Sequence, residues 1–85
     1  MIPENMNAGV QPLDALMESN GLKNHDLVAA APELFLTHKE VAKARKGRQL
    51  TAHSQRRILT ALNAARKSRE MSQVVMAEVF NYRGR

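Results

Sequence analysis

Cysteine is absent from this 85-residue chain, which excludes disulfides and thiolate metal sites and suits a reducing cytoplasm. Tryptophan is absent as well, and the aromatic set is two phenylalanines and one tyrosine. That is too few to furnish a platform of exposed rings for stacking single-stranded bases, so RNA ranks below duplex DNA as a partner. No apolar run approaches the ~20 residues that would cross a bilayer. Residues 1–10 lack a cationic start followed by an apolar stretch, so neither a secretion signal nor a membrane partner is expected. A glycine-rich phosphate loop, a nucleophile with an identifiable base and a carboxylate pair in a plausible pocket are all missing, and no enzyme is expected. His25, His38 and His53 are scattered with no carboxylate or thiolate at ligand spacing, which argues for surface histidines and against a metal. A chain this short makes one domain with little interior to spare for a cofactor, and none is expected. The five methionines are spread out and read as core gap-fillers.

Acidic residues are scarce in one section, and that scarcity carries the functional signal. Residues 1–36 hold five acids against Lys23 alone, a net charge of −4. Residues 37–69 hold ten basic residues against Glu40 alone, a net of +9, within a chain whose total is +5. Positive potential concentrated in one section is the footprint of a polyanion binder. A basic helix face that is merely solvated is the plain alternative.

Apolar spacing gives a series of helices. Residues 1–11 carry Pro3, Gly9 and several amides without periodicity and read as a flexible arm. Pro12 suits the first turn of a helix. Leu13, Leu16 and Met17 follow at helical spacing, and Asn20-Gly21 provides a left-handed stop. Asn24 can cap a second helix, with Leu27, Val28 and Ala31 as its apolar face. Pro32 ends it, and Leu34, Phe35 and Leu36 read as core. Thr37-x-x-Glu40 is a capping box opening a third helix, with Val41 and Ala44 inward and Gly47 as its stop. Thr51 is a plausible cap for a long amphipathic helix carrying Ile58, Leu59, Leu62 and Ala65 on one stripe. Val75, Met76, Val79 and Phe80 suggest a last short helix in place of a strand. The fold class expected is all-α: a compact four- to five-helix bundle containing a helix-turn-helix, with the DNA-binding domain over residues 12–69.

In a helix-turn-helix the second helix of the pair enters the major groove and presents its N-terminal residues to base edges. Here that helix starts at Thr37, with His38, Lys39 and Lys43 as base-reading candidates. Lys46, Arg48 and Arg56 are candidates for flanking phosphates; Arg56 and Arg57 diverge by about 100° on a helix, so only one of them is expected to face DNA. The chain resembles the Xre/Cro-type regulators of bacteria and phages over roughly residues 13–65. The carriers are Leu16-Met17, the run Asn24 to Ala29, Val41-x-x-Ala44-x-x-Gly47, and Leu50-Thr51 leading into Ile58-Leu59-x-x-Leu62. The resemblance implies operator binding as a dimer by a transcriptional regulator, and adds Asn24 to the phosphate contacts. The chain departs from the family in its longer, apolar turn at residues 32–36 and in having lysines at the base-reading positions.

Residues 70–85 form an apolar C-terminal segment that follows an already complete-looking domain. An exposed apolar patch marks a contact site. Val75, Met76, Val79 and Phe80 are therefore candidates for a homodimer interface, or for docking a protein partner if the chain is an antitoxin-like or adaptor module.

Overall fold

Pro12 opens the first helix because first-turn amides have no intrahelical acceptor to lose. The computed structural model, which describes residues 8–84, places α1 over Pro12–Asn20. Gly21 ends it at φ 68°, its N–H reaching the Glu18 and Met17 carbonyls. The next helix, α2, spans Asn24–Ala30. Its cap is Lys23, not Asn24: the Lys23 N–H donates to Asp26 Oδ2 at 2.7 Å, and Asn24 is the first helical residue. That backbone hydrogen bond, outweighing the effect of burial and joined by the charges of His25, Arg69 and Lys23, holds the Asp26 carboxyl below its ordinary 3.8. A carboxyl lowered by folding stabilises the fold above its unfolded pKa, and the contribution is lost as pH falls through the folded value.

After a single 3₁₀ turn at Pro32–Leu34, α3 runs over His38–Lys46. Its capping box is formed as the sequence implied: Thr37 Oγ1 accepts from the Glu40 N–H at 3.1 Å, and Glu40 Oε1 accepts from the Thr37 N–H at 3.0 Å. Replacing Thr37 by alanine removes one half of this exchange. It is expected to cost about 1 kcal/mol and to lower Tm by roughly 4–8 °C in a thermal melt; an unchanged Tm would remove the cap from the stability of α3. The longest helix, α4, covers Ala52–Ser68, with Thr51 Oγ1 accepting from the Ser54 N–H at 3.1 Å. A short α5, Met76–Val79, closes the series.

These five helices, with no strand among the described residues, make the all-α bundle expected. The α2 helix packs along α4, α3 lies against α1, α2 and α4, and α5 bridges α1 and α4. Leu13, Met17, Leu27, Val41, Ile58, Leu62 and Val79 are buried where these helices meet.

Both ends of the described chain differ from expectation. Residues 8–11 are not a loose arm: the Ala8 N–H donates to the Gly47 carbonyl at 2.7 Å and the Gln11 N–H to the Arg45 carbonyl at 3.0 Å. Gln11 is buried, its Nε2 donating to the Gly9 carbonyl and its Oε1 accepting from the Asn81 N–H. Residues 1–7 of the expected arm lie outside the described residues. Gly47 is required twice over, since it sits at φ 99° and a Cβ there would stand 1.8 Å from the Gly9 carbonyl oxygen.

At the other end, Val74, Val79 and Phe80 are buried in the common core. Asn63 pairs its side-chain amide with both the N–H and the carbonyl of Val74, standing in for a strand neighbour. Tyr82 accepts from the Leu50 N–H and donates to the Arg48 carbonyl. Val79 and Phe80 are therefore unavailable as a dimer or partner surface, because they complete the chain's own interior; of the four expected interface residues only exposed Val75 and half-buried Met76 reach the surface.

Candidate nucleic-acid interface

The ten basic residues of positions 37–69 are sorted by the fold into two groups. Four arginines are turned inward or across the surface as clamps. Arg45, on α3, donates to Asp14 Oδ1 at 2.7 Å, Asn24 Oδ1 at 2.9 Å and Glu18 Oε2 at 3.0 Å, tying α3 to α1 and α2. Arg57, on α4, donates to Glu40 Oε2 at 3.0 Å and to the Leu34 carbonyl at 2.6 Å. Arg66 holds Asn20 Oδ1 and the Ser72 carbonyl, and Arg69 holds the Asn20 and Gly21 carbonyls with Asp26 at 3.8 Å.

The other six, Lys39, Lys43, Lys46, Arg48, Arg56 and Lys67, are exposed and form no ion pair among the described residues. Five of them belong to α3, the turn just beyond it, and the first half of α4. Lys39, Lys43 and Lys46 fall within a sector of about 60° on α3, because positions four and seven apart come back to the same face. Val41 and Ala44, on the opposite side, are fully buried and fix which way that face points. The section's single acid does not offset it, since Glu40 is held by its own cap and by Arg57.

His38 is exposed at the first turn of α3, and its ring centroid lies 6.3 Å from that of exposed His25 at the start of α2. Asn24 is half-buried and its carbonyl oxygen is taken by Arg45, which leaves only its amide N–H groups for an outside acceptor. Arg56 faces outward while Arg57 faces in, the division expected from their 100° divergence.

Sequence reasoning missed two features. The clamp role of Arg45 and Arg57 joins residues 17 to 31 positions apart, a separation with no local signature. Phe35, expected in the core, is 83% exposed. The chain passes through a left-handed φ of 54° at Phe35, so that Leu34 and Leu36 on either side pack inward and Phe35 between them points out.

Fold and surface together define, among the described residues, a small all-α bundle with a cationic face on α3. Comparison of the chain with protein-family models, with curated proteins and with solved structures finds no match.

Proposed function

We propose that the chain binds duplex DNA through α3 as the reading helix of a helix-turn-helix, acting as a transcriptional regulator. His38, Lys39 and Lys43 would face base edges, and Lys46, Arg48 and Arg56 the flanking phosphates. The observation that carries this reading is the sorting of charge. Four arginines, Arg45, Arg57, Arg66 and Arg69, are consumed as clamps on other parts of the fold, while the lysines of α3 are left together on one face without carboxylate partners. Lysine donates to the O6 and N7 of guanine, and the phosphate backbone rewards uncompensated cations by releasing condensed counterions.

Fluorescence anisotropy of labelled duplexes, titrated at several salt concentrations, tests it. Binding is expected to weaken steeply with salt, and Lys46→Ala is expected to lower the slope of log K against log salt by about 1. The Lys39→Ala/Lys43→Ala variant is expected to bind about tenfold or more weakly and to lose preference among sequences, since each base contact is worth roughly 1–3 kcal/mol of discrimination. A wild-type chain that binds no duplex even at low salt would end the proposal, as would a double variant that binds like wild type.

A further inference from the structure

Phe35 is the most exposed of the large apolar side chains among the described residues, and its backbone sits in the left-handed region at φ 54°. Both properties act against the fold. A bulky side chain enters that region at a cost in stability, and an exposed phenyl ring returns nothing by burial. Nor is the turn loose enough for its conformation to be incidental. The Phe35 N–H donates to the Pro32 carbonyl at 3.1 Å, the Leu34 N–H to the Ala31 carbonyl at 3.0 Å, and Arg57 grips the Leu34 carbonyl at 2.6 Å. Leu36 is buried immediately after. The ring is thus presented from a fixed backbone, and strain of this kind concentrates where a ligand is met.

We infer that Phe35 is an apolar contact to duplex DNA at the edge of the reading helix, packing its ring on thymine methyl groups exposed in the major groove. The inference rests on the proposed function of α3. Phe35 precedes the Thr37 cap by two positions and Lys39 by four, so it stands at the N-terminal end of the cationic face, the end that approaches base edges. Phenylalanine can meet the thymine C5-methyl, the one apolar group that the major groove offers. Val75, also exposed, lies in ordinary extended backbone at φ −105° and carries no comparable strain.

The test compares wild type with Phe35→Asn, since asparagine accepts a left-handed backbone, on an alternating A·T duplex and on its A·U counterpart. Phe35→Asn is expected to keep or raise Tm, and to bind the A·T duplex about tenfold more weakly with an unchanged salt slope, because no phosphate contact is lost. Wild type is expected to bind the A·U duplex more weakly than the A·T duplex, and Phe35→Asn to treat the two alike. If Phe35→Asn binds A·T DNA as tightly as wild type, the inference is overturned while the cationic face stands, and the ring belongs to a protein partner or to none. A fall in Tm would overturn it by assigning the ring to the fold. Wild type that binds neither duplex at low salt overturns the inference, and overturns the proposed function with it when a guanine-containing duplex is also left unbound.

Discussion

Cutting the chain after Lys67 will abolish cooperative unfolding, not merely separate two subunits. The removed piece looks dispensable on the sequence, yet it supplies Val74, Val79 and Phe80 to the buried core. Burying side chains of this size contributes about 1.5–3 kcal/mol each, and even after allowing for a partly compact unfolded chain the loss approaches the ~5–15 kcal/mol that a whole domain has available. The cut also strands polar groups. Asn63 loses both hydrogen bonds to Val74, the Leu50 N–H loses the Tyr82 hydroxyl, and buried Gln55 loses the Tyr82 carbonyl to which its Nε2 donates. A milder variant isolates the packing: Phe80→Ala is expected to cost about 3–5 kcal/mol by lost contact and residual cavity. Circular dichroism melts and urea titration of the two variants check both claims. A truncated chain that melts cooperatively near the full chain's Tm would mean that the segment is an accessory after all and would return Val79 and Phe80 to the surface as interface candidates.

That segment shows where reading the sequence runs out. The signals that worked are local and set by backbone chemistry. Gly21, Thr37 with Glu40, Gly47 and Thr51 each mark a helix boundary through a donor or acceptor within a few residues, Pro12 marks one by the N–H it lacks, and each lies where its chemistry required. Spacing also placed Val41 and Ala44 inward, and with them the outward lysines. What spacing cannot supply is the destination of a side chain across the fold. A run such as Val74 to Phe80 is apolar whether it covers its own core or a partner's. An arginine on α3 reads as one more positive charge until Asp14, Glu18 and Asn24 are found around Arg45. Gln11 carries no periodic signal, yet it is buried because its amide can satisfy Gly9 and Asn81 at once. Phe35 misleads because apolar residues usually go inward, and the left-handed turn that leaves its ring exposed has no signature in the residue type.

Arg45 and Lys43 lie two residues apart on α3, and the sorting of charge predicts opposite consequences for removing them. Arg45→Met keeps most of the side-chain volume but abandons Asp14, Asn24 and Glu18, so that α3 loses its tie to α1 and α2. Hydrogen bonds to a charged group are worth roughly 1.5–3 kcal/mol each when sheltered. The Arg45 side chain is 16% exposed but Asp14 is 38% and Glu18 73% exposed, so water screens much of that sum. A net loss of about 2–3 kcal/mol is expected, which lowers Tm by roughly 10–20 °C in a domain of this size. Because Arg45 is spent on internal partners, the salt slope of DNA binding measured below the lowered Tm is expected to stay at the wild-type value. Lys43→Met should do the reverse, leaving Tm within about 4 °C, since exposed surface changes are usually worth less than ~0.5 kcal/mol, while weakening binding several-fold. Paired melts and anisotropy titrations read both quantities from the same preparations. If Arg45→Met lowered the salt slope, Arg45 would be a DNA contact and the division between clamping arginines and reading lysines would fail. If Lys43→Met left DNA affinity intact, the proposed reading role of this face of α3 would fail.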